Sequence, residues 1–581
     1  MTTTISRREL VADDHLPHDL PAIIKQIYAS RGVTSAKELD HQVANLQGLS
    51  ADSAQLKGLT QACEILLPAI ENNTAIVIVG DFDADGATST ALMMSALSMF
   101  GSHNHSFIVP NRFEYGYGLT PEIVDIAAAQ KAQLLITVDN GISCIAGVNR
   151  AKELGLQVVV TDHHLPGKIT PNADAIVNPN QHGCQFESKA LAGVGVAFYL
   201  MLALRKHGRE QGYFTKRGIP EPNIAQLLDL VALGTVADVV PLDANNRILV
   251  AQGLKRIRAG QTRPGIQALI DIAKRDQSQL IASDFGFALG PRINAAGRLD
   301  DMAYGINCLL APDLASARVM ARDLDDLNKA RREIEQGMQV EAEQVLKSLN
   351  FNEDNLPSAI ALYQQDWHQG VIGIVAGRLK EKFHRPCIVF ANSSDETDEN
   401  YEIKGSARSI SGLHIRDLLE HISSQYPDLI LKFGGHAMAA GLSIKGQDFD
   451  KFQQLFNKVA EQWLTKEHLQ SVLLSDGKLS AQEMTLTFAE QLRNAGPWGQ
   501  NFPEPLFDDE FTLVQQRIVG EKHLKLVVKK AGQIFDAIAF NVDIKAWPNL
   551  KAEKVQLAYH LDINEFRGKR SVQLMVKHIT I

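Results

Sequence analysis

The sequence predicts an α/β protein. Its main domain would be built on a parallel, doubly wound sheet, followed by a long connecting helix, a second α/β domain and a C-terminal antiparallel β-barrel. Three observations predict this architecture. Short apolar runs alternate with helix-like segments from Ala75 to about Asn180, a charged stretch with helical periodicity extends from Asp313 to Leu349, and alternating strand patterns fill residues 518–581.

The predicted sheet places polar residues along one edge. Its strands are inferred from five apolar runs, which begin at Ala75, Ser106, Leu134, Leu156 and Asp174. In a parallel sheet covered by helices, the carboxyl ends of the strands lie along one edge, where ligands bind. Polar motifs directly follow three of these runs, so we expect them to converge.

Composition and charge narrow the class of protein. The chain has 581 residues, of which 45% are hydrophobic, 22% charged and 6% aromatic, as in ordinary globular proteins of several domains. The N-terminal segment has no signal-peptide h-region, and no run approaches the roughly 20 apolar residues that span a bilayer. The five cysteines form no C-x-x-C pair, which favours a reducing cytoplasm. With a net charge of −9, a polyanionic partner would need a local basic surface or metal ions.

The segment from Ile76 to Ala91 contains the motif GDFDADG, which puts Asp81, Asp83 and Asp85 in one short turn. Like charges this close are costly without a cation, so the motif indicates a metal site. Its first half matches a calcium-binding EF-hand loop. However, Leu92 stands where that loop needs a glutamate, and a strand pattern precedes the motif instead of a helix. Calcium binding of the EF-hand type is therefore excluded.

Three further motifs supply acidic and imidazole groups. Asp139 follows the third apolar run, the motif DHH from Asp162 to His164 follows the fourth, and Asp238 lies beyond a helical pattern for which Gly234 is the predicted C-cap. Oxygen ligands with one or two imidazoles suit Mn²⁺ or Mg²⁺, while the lack of thiolates argues against structural zinc. Two such ions can activate a water and stabilise a leaving oxygen in phosphodiester hydrolysis. Asp139, alone at the end of a central strand, is the candidate bridging carboxylate.

Each motif also has a purely structural interpretation. A lone DG or DNG is commonly a turn, and DHH can be a helix N-cap followed by surface histidines. Three acidic strand-end motifs in one βαβ series are hard to explain in that way. Other phosphate chemistries lack their motifs, because the P-loop and H-E-x-x-H patterns are absent and GVGVAF at Gly193 lacks the third glycine of a dinucleotide loop.

In this order, GDFDADG, VDNG, TDHH and GTVADVVPL resemble the four motifs of the DHH phosphoesterase superfamily. GPRINAAGRLDD at Gly290, GSARS at Gly405 and FGGHAMAAG at Phe433 resemble its branch of bacterial single-strand-specific exonucleases. The resemblance covers nearly the whole chain, including IYASRGVTSAKELD near the N-terminus. It implies a metal-dependent exonuclease that hydrolyses single-stranded DNA stepwise from the 5′ end to mononucleotides. This activity would serve DNA recombination and repair through two-metal chemistry with Mn²⁺ or Mg²⁺.

The resemblance also implies roles for individual residues. The implied ligands of the first ion are Asp83 and Asp139, with Asp81 as a further ligand, and those of the second ion are Asp85, Asp139, His163 and Asp238. His164 would face the scissile phosphate as a catalytic group. Asp162 would hold the two histidines in position without binding an ion itself.

The helix predicted from Asp313 to Leu349 would lead to a second α/β domain that resembles the substrate-binding DHHA1 domain of the superfamily. Glycine-rich segments there would let backbone N–H groups approach phosphate oxygens, although each segment alone could equally be a tight turn. The residues predicted to bind the terminal 5′ phosphate are Arg112, Ser406 and Arg408, with His436 as a further donor. Those predicted to hold the strand near the active site are Arg292, Asn294 and Arg298.

The C-terminal portion is locally basic. Residues 518–581 contain 11 Lys and Arg against 6 Asp and Glu. Alternating strand patterns predict a small antiparallel barrel, and NEFRGKR is typical of a basic hairpin loop. This combination favours an OB-fold that grips single strands, with Phe566 and Arg567 as contacts. An ordinary β-domain with a solvated loop is the alternative.

The domain organisation follows from these assignments. The predicted domains are an N-terminal helical segment (1–70), a DHH catalytic domain (71–312), a connecting helix (313–350), a DHHA1 substrate-binding domain (351–468) and an OB-fold single-strand-binding domain (469–581). The expected substrate is single-stranded DNA with a 5′ phosphate, and selection against duplex would be steric. The resemblance implies a helicase and a single-strand-binding protein as partners. No sustained heptad repeat calls for a dimer, so a cytoplasmic monomer without membrane contact is expected.

Two other functions compete with this one. A phosphodiesterase of the same superfamily that cleaves cyclic dinucleotides or very short oligonucleotides would need neither the long helix nor the basic barrel. A non-catalytic DNA-binding scaffold would have lost the metals, yet so many clustered carboxylates without a cation would destabilise the fold. Comparing a dinucleotide with a long strand tests the first alternative, and calorimetry of metal binding tests the second.

Overall fold

The computed structural model of the chain describes residues 3–48, 55–111, 114–348, 356–393, 401–566 and 568–581. The chain forms two units, which are described separately. One contains the residues up to Arg7 and Lys329–Ser475, and the other contains Arg8–Asn328 and Asp476–Ile581. In the part of the chain that is described, no helix is both long and apolar enough to cross a membrane.

The N-terminal segment, predicted to be helical, also contains a strand. Its elements are β1 (Thr4–Arg7), α1 (Ala22–Ala29) and α2 (Leu59–Glu71). β1 is mostly exposed and carries little hydrophobic alternation. The strand forms because Thr4 pairs with Val472, far along the chain, and a local sequence pattern cannot reveal such a distant partner.

A five-stranded parallel sheet forms the centre of the larger unit. Its strands are β2 (Ile76–Val79), β3 (His105–Ile108), β4 (Leu134–Val138), β5 (Gln157–Thr161) and β6 (Ala175–Val177). They pair in the order β3-β2-β4-β5-β6. Every residue of β2 and β4 is buried, as expected for central strands with helices on both faces. The predicted parallel sheet is confirmed, and the carboxyl ends of the neighbouring strands β2, β4 and β5 carry the three acidic motifs.

Helices surround this sheet and continue beyond it. They are α3 (Ala84–Met99), α4 (Pro121–Ala129), α5 (Ile145–Glu153), α6 (Gly193–Glu210), α7 (Tyr213–Arg217), α8 (Leu228–Ala237), α9 (Ala244–Arg258), α10 (Pro264–Ile272), α11 (Ala282–Asp284), α12 (Gly290–Leu299) and α13 (Met302–Leu309). α3 is buried along most of its length, and both α6 and α8 pack against it. The start of α3, which carries the first acidic motif, is therefore enclosed by protein.

The smaller unit is a second α/β domain. α14 (Leu314–Ser348) leads into it and confirms the predicted long helix. The elements that follow are β7 (Ile360–Tyr363), α15 (Ile372–Phe383), β8 (Cys387–Asn392), β9 (Glu402–Arg408), α16 (Ile415–Gln425), β10 (Lys432–Gly435), β11 (Ala439–Lys445), α17 (Phe449–Trp463) and β12 (Val472–Ser475). β7 and β8 pair in parallel, whereas β8, β9, β11 and β10 pair antiparallel with their neighbours in that order. The sheet is therefore mixed, and the strand-helix-strand start of the domain is as predicted.

A closed barrel forms the C-terminal end of the larger unit. It follows α18 (Leu486–Asn494) and consists of β13 (Phe507–Val519), β14 (His523–Lys530), β15 (Gln533–Ala539), β16 (Lys554–Phe566) and β17 (Lys569–Thr580). The strand order is β13-β14-β15-β17-β16, and closure leaves no exposed sheet edge. The predicted barrel is confirmed with one refinement. β15 and β17 pair in parallel, because β16 intervenes between them along the chain and no hairpin dictates their direction.

A buried ion pair joins the N-terminal segment to the start of the C-terminal region. Two guanidinium nitrogens of Arg31 donate to the two carboxylate oxygens of Asp476, at 2.8 and 2.9 Å. Both side chains are at most 3% exposed. Arg31 Nε also donates to the carbonyl of Pro503 at 2.7 Å, and Asp476 Oδ2 accepts the N–H of Leu506 at 3.0 Å. The pair is therefore fully hydrogen-bonded, which offsets the cost of burying two charges.

Asp476→Ala is expected to lower the free energy of unfolding by about 3–5 kcal/mol, because it leaves the buried Arg31 cation unpaired. Equilibrium denaturation in urea measures the change. Glu510→Ala serves as the control, since its pair with Lys554 lies on the surface with both side chains more than half exposed. That change should have little effect. Equal effects of the two substitutions would contradict this interpretation.

Candidate active site

The first acidic motif begins helix α3. Asp83 is the N-cap, and its Oδ1 accepts the N–H groups of Asp85 at 2.9 Å and Gly86 at 3.0 Å. Asp81 is buried, and its Oδ1 accepts the N–H of Phe82 at 2.7 Å. A Cβ on Gly86 would lie 2.5 Å from the carbonyl oxygen of Asp81. Glycine at this position therefore allows the tight turn that holds three carboxylates together.

Asp85 points into the interior and is held by the start of α6. Its Oδ2 accepts the N–H of Gly193 at 2.6 Å, and its Oδ1 accepts the N–H of Val194 at 3.0 Å. A helix N-terminus favours negative charge at this place. Burial and the neighbouring Asp83 nevertheless raise the pKa of Asp85 to about 7. The ionised carboxylate thus has donors, but it still lacks a full positive counter-charge.

Asp139 follows β4 with a left-handed backbone, φ +62°. Aspartate tolerates this conformation better than most residues. The neighbouring Asn140 fixes the turn, because its side-chain amide donates to the carbonyls of Val79 at 3.0 Å and Val138 at 2.9 Å. Asp139 is 2% exposed, and burial together with Asp85 raises its pKa well above the ordinary value.

Asp162 organises the DHH motif. Its Oδ1 accepts the N–H of His163 at 2.7 Å, the N–H of His164 at 3.0 Å and His164 Nδ1 at 2.7 Å. Its Oδ2 accepts the N–H of Ile142 at 2.8 Å. Although burial opposes the charge, the hydrogen bond from His164 lowers the pKa of Asp162. Burial likewise opposes the cation on His164, yet Asp162 raises the pKa of His164 to about 9.

The ligand groups converge around His163. Its Nε2 lies 3.1 Å from Asp139 Oδ1, 3.5 Å from Asp238 Oδ2 and 4.0 Å from Asp85 Oδ2. Three sets of side chains have ligand atoms within 4.8 Å of one another: Asp85, His163 and Asp238; Asp81, Asp83 and Asp139; and Asp139, His163 and His164. The first two sets contain residues predicted for the two ions, and Asp139 of the second set lies 3.1 Å from His163 of the first. The assignment of ligands to each ion stays a prediction.

These residues fit divalent cations. Asp139 Oδ1 and Asp238 Oδ2 are buried, and neither accepts a hydrogen bond from the described residues. Burial and Asp85 raise the pKa of Asp238 well above the ordinary value, as they do for Asp139. These carboxyl groups surround one imidazole nitrogen, and the charge of one raises the pKa of its neighbours. They can all be ionised together only if a positive charge lies between them. Oxygen-rich sets with one histidine suit Mn²⁺ and Mg²⁺.

The fourth motif differs from its prediction at Gly234. This glycine lies inside α8, which ends at Ala237, and Asp238 is the C-cap. A Cβ on Gly234 would lie 2.2 Å from Thr88 Oγ1 and 3.0 Å from Asp85 Oδ1. Its role is therefore to let α8 approach α3 closely, which brings Asp238 to the other acidic side chains of the site.

Two features of the site escape prediction from the sequence. GVGVAF lacks the glycine spacing of a dinucleotide loop, yet Gly193 and Val194 start α6 and bind a carboxylate instead of a pyrophosphate. A glycine pair at a helix start is a signal for such anion binding. Tyr117 is the second feature. Its hydroxyl donates to the carbonyl of Asp139 at 3.1 Å, and its ring packs edge-on against His164 with centroids 5.9 Å apart.

The residues predicted to hold the strand near the active site lie on α12. Asn294 Oδ1 accepts the N–H of Ala84 at 2.7 Å and so contacts the start of α3, which carries the first acidic motif. Arg292 Nε donates to Asp325 Oδ1 at 2.9 Å, which ties this guanidinium to α14. Arg298 lies one turn beyond Asn294 on the same helix and is half-buried. Their contacts with DNA stay a prediction.

Ser406 and Arg408 lie together on β9 of the second α/β domain. Arg408 Nη1 is 3.2 Å from Ser406 Oγ, and a Cβ on Gly373 would come within 3.0 Å of both side chains. A side chain at Gly373, in the first turn of α15, would therefore collide with both donors, so only glycine fits there. The N–H of His436 donates to the carbonyl of Ala439 at the β10–β11 turn. A phosphate site here remains a prediction.

Three predicted contacts cannot be placed. Arg112 and Arg567 lie outside the described residues. Phe566 ends β16, but its side chain is also outside the described part. β16 and β17 pair antiparallel, with Phe566 opposite Lys569, so the predicted hairpin is present. Its contacts with DNA and those of the first-domain arginine stay predictions from the sequence.

Gly193→Ala is expected to weaken Mn²⁺ binding at least about tenfold, the usual range for residues that support a ligand. A Cβ at Gly193 would lie 2.6 Å from Asp139 Cβ, so the carboxylate must move. Calorimetric titration with Mn²⁺ measures the change. Gly195→Ala in the same helix is the control, because its Cβ would meet only the end of the flexible Leu191 side chain, at 3.1 Å. An unchanged affinity in Gly193→Ala would contradict this role.

Family models match three parts of the chain. The DHH family N-terminal domain matches residues 75–235, the DHHA1 domain matches residues 356–462, and the RecJ OB domain matches residues 475–578. These matches agree with the parallel sheet, the mixed sheet and the closed barrel. The architecture predicted from the sequence is thereby confirmed, and the domain boundaries stay predictions.

Curated relatives match the chain over nearly its full length. The single-stranded-DNA-specific exonuclease RecJ of Dickeya dadantii is 58% identical over 575 residues, which cover 99% of this chain and 98% of the relative. The protein of the same name from Escherichia coli is 57% identical, with the same coverage. This similarity far exceeds what a shared fold alone would produce.

A solved structure agrees with these relatives. The crystal structure of RecJ in complex with Mn²⁺ from Thermus thermophilus is 28% identical, with a TM-score of 0.77, and the match covers 96% of this chain and 76% of that one. A second structure of RecJ from this organism, in complex with Mg²⁺, has a TM-score of 0.72 at 26% identity over 97% of this chain and 75% of that one. These are the two metals that the carboxylate cluster favours. The chain therefore belongs to the RecJ family of DHH proteins.

Proposed function

We propose that this chain is a metal-dependent exonuclease that hydrolyses single-stranded DNA stepwise from the 5′ end to mononucleotides. The observation that carries the proposal is the convergence of two carboxylate-rich ligand sets at the end of a parallel sheet, with Asp139 of one set 3.1 Å from His163 of the other. Family membership supports the substrate, because the curated relatives are named as single-stranded-DNA-specific exonucleases. The activity serves DNA recombination and repair, the role typical of the family.

The proposed ligands divide between two ions. Asp81, Asp83 and Asp139 hold one, and Asp85, Asp139, His163 and Asp238 hold the other. When bound, the ions supply an activated water and neutralise charge on the reacting phosphate. The protein contributes rigidity: the N-cap at Asp83 and the N–H groups of α6 on Asp85 fix these carboxylates before the substrate arrives.

His164 is the proposed donor to the scissile phosphate. The hydrogen bond to Asp162 engages its Nδ1, and its Nε2, which lies 3.4 Å from the Tyr117 hydroxyl, is proposed to face the substrate. Since Asp162 raises the pKa of His164 to about 9, the ring stays cationic at neutral pH. A fixed cation beside the phosphate stabilises the negative charge that develops during hydrolysis. Asp162, held by three backbone N–H groups, keeps the ring in place.

The strand contacts are proposed as follows. Ser406 and Arg408, adjacent on β9, bind the 5′ phosphate together with Arg112 and His436. Arg292, Asn294 and Arg298 on α12 hold the next nucleotides. The basic C-terminal barrel, with Phe566 and Arg567, grips the strand further along, where stacking on each base contributes about 1–3 kcal/mol.

The cellular setting is also part of the proposal. We place the enzyme in the cytoplasm as a monomer that works beside a helicase and a single-strand-binding protein. All five cysteines are free thiols, which supports a reducing compartment. Gel filtration with light scattering tests the monomer, and pull-down from an extract of the source cells tests the partners.

Nuclease assays test the central proposal. The protein is incubated with Mn²⁺ or Mg²⁺ and a strand labelled at its 5′ or 3′ end, beside a blunt duplex. We expect mononucleotides from the 5′ end of the single strand, none from the duplex and none with an Asp139→Ala variant. A wild type that binds the strand but leaves it uncut with either metal would instead support a scaffold. Cleavage of a dinucleotide but not of a long strand would support the small-substrate phosphodiesterase.

A further inference from the structure

The turn that carries Asp238 adopts a conformation that its own sequence does not favour. Val239, the next residue, has φ +62° and is 61% exposed. A β-branched side chain rarely adopts this left-handed backbone, which persists only where the surroundings hold it. The side chain of Val239 lies largely in solvent and cannot provide that support. The N–H of Val239 donates to the carbonyl of Val236 at the end of α8, at 3.2 Å, and the residues that follow provide further support.

Those residues are fixed by α9 and by the C-terminal region. The carbonyl of Pro241 accepts Asn246 Nδ2 at 2.9 Å, and the carbonyl of Leu242 accepts Arg247 Nη1 at 3.1 Å. The N–H of Leu242 donates to the carbonyl of Gln500 at 2.8 Å. Gln500 belongs to the segment between α18 and the barrel, so a residue four positions from a metal ligand is anchored by the C-terminal domain.

The anchoring segment, Gly496–Phe502, is itself held firmly, and we call it the clamp loop. Gly499 and Phe502 exchange two backbone hydrogen bonds, at 2.9 and 3.1 Å. The rings of Trp498 and Phe502 stack with centroids 5.1 Å apart, and the Arg247 guanidinium lies 4.3 Å from the Phe502 centroid. Arg247 thus binds both the clamp loop and the carbonyl of Leu242.

The clamp loop and Leu242 also fit together tightly. Leu242 is 3% exposed, and a Cβ on Gly499 would lie 2.7 Å from Leu242 Cδ1 and 3.1 Å from its Cγ. Any added atom at Gly499 must therefore push Leu242. Because Pro241 and Val240 join Leu242 to the strained turn, the displacement would reach Asp238.

We infer that the clamp loop positions Asp238 for metal binding, so that the C-terminal domain tunes the metal site in addition to gripping DNA. Residues Gly499 and Phe502 are positioning residues that act through Leu242 and Arg247. This inference rests on the proposed metal-dependent function, and it assigns to the C-terminal domain a role that does not require DNA. Its signature is altered Mn²⁺ affinity in the absence of any strand.

Gly499→Ala in the full-length protein is the principal test. Calorimetric titration with Mn²⁺, without DNA, should show affinity at the Asp238 site reduced at least tenfold. On a single-stranded oligonucleotide, activity at limiting Mn²⁺ should fall by a similar factor and recover at higher Mn²⁺, with an unchanged KM for DNA. Gly337→Ala, on an exposed helix position with no atom within 4 Å of the added Cβ, should match the wild type.

A second substitution tests the route. Leu242→Val removes the methyl group that the new Cβ would meet, so the double variant Gly499→Ala, Leu242→Val should bind Mn²⁺ more tightly than Gly499→Ala alone. If Gly499→Ala does not fold, as judged by circular dichroism, Phe502→Leu replaces it, because leucine keeps an apolar side chain and removes the ring contacts. We expect at least threefold weaker Mn²⁺ binding for Phe502→Leu.

The outcomes separate the two proposals. A folded Gly499→Ala, or Phe502→Leu in its place, that binds Mn²⁺ as tightly as the wild type overturns the inference and leaves the nuclease function standing. A wild type that binds no Mn²⁺ overturns the proposed function itself. Weaker Mn²⁺ binding that high Mn²⁺ overcomes supports the clamp loop as part of the metal site.

Discussion

An Asp139→Asn variant is expected to lose at least about a thousandfold in nuclease activity, while its metal-free form becomes more stable than the wild type. Asp139 lies in one ligand set with Asp81 and Asp83, and its Oδ1 is 3.1 Å from His163 Nε2 of the other set, so one substitution should weaken the binding of both ions. Asparagine keeps the side-chain shape and tolerates the left-handed backbone at φ +62°. The substitution therefore removes charge without disturbing the turn.

The stability that metal-free Asp139→Asn gains over the wild type depends on pH, and the raised pKa of Asp139 determines the direction of this dependence. Burial, followed by the charge of Asp85, raises the pKa of Asp139 well above the ordinary value. A carboxyl group whose pKa rises on folding destabilises the folded protein once it is ionised. That penalty is absent below the unfolded pKa of about 3.9 and grows as the pH rises. The advantage of asparagine should therefore be large at pH 8 and vanish near pH 4.

Thermal denaturation with a chelator measures this effect. At pH 8 we expect the Tm of Asp139→Asn to exceed that of the wild type by a few degrees. Added Mn²⁺ should reverse the order, since only a protein that binds the ion gains stability from it. Asn140→Asp should lower the metal-free Tm, because it adds a carboxylate next to the same site and removes the amide donor to the carbonyls of Val79 and Val138. A lower Tm for metal-free Asp139→Asn at pH 8 would contradict the electrostatic argument.

His164→Ala is expected to reduce kcat about a hundredfold or more, in the range for loss of one group that stabilises transition-state charge. Because His164 is assigned to the phosphate and not to a metal, Mn²⁺ affinity should stay within about threefold of the wild type. Its pKa of about 9 keeps the ring cationic at neutral pH. The contribution of His164 should therefore decline as the pH rises through 9, and the variant should lack this decline.

Activity and metal binding must be measured together for this variant. Single-turnover cleavage of a 5′-labelled strand gives the chemical rate, and calorimetry gives the Mn²⁺ affinity. Asp162→Asn is the companion variant, since it weakens the contact to His164 but keeps a hydrogen-bonding oxygen, and a smaller loss is expected. If His164→Ala instead loses Mn²⁺ along with activity, His164 is a ligand and its assignment to the phosphate is wrong.

The sheet and most of its acidic residues could be predicted because the relevant signals are local. Asp81, Asp139 and Asp162 each follow an apolar run, and parallel strands place such residues at one edge. The position of Asp238 follows a different rule, because it depends on how closely α8 packs against α3. Only the missing side chain at Gly234 allows that packing, and a glycine three residues before a helix end resembles a C-cap in the sequence.

Long-range partners account for what the sequence did not reveal. Gly193 contacts Asp85 from more than a hundred residues away, and Gln500 contacts Leu242 from a different domain. Neither contact produces a periodic pattern of apolar residues that could be detected in the sequence. The parallel pairing of β15 with β17 has the same origin, because strand direction in a barrel is set by closure and not by the strand's own residues.

The pairing of β1 with β12 has a consequence for synthesis. Thr4 leaves the ribosome early, but its partner Val472 and the carboxylate of Asp476 that neutralises Arg31 are made near the end of the chain. At about 5–20 residues per second, the gap is roughly half a minute to a minute and a half. Throughout that time the N-terminal strand has no partner and Arg31 lacks its carboxylate. We therefore expect nascent chains that are interrupted before Asp476 to expose the unpaired strand β1 and to be bound by chaperones or degraded by proteases.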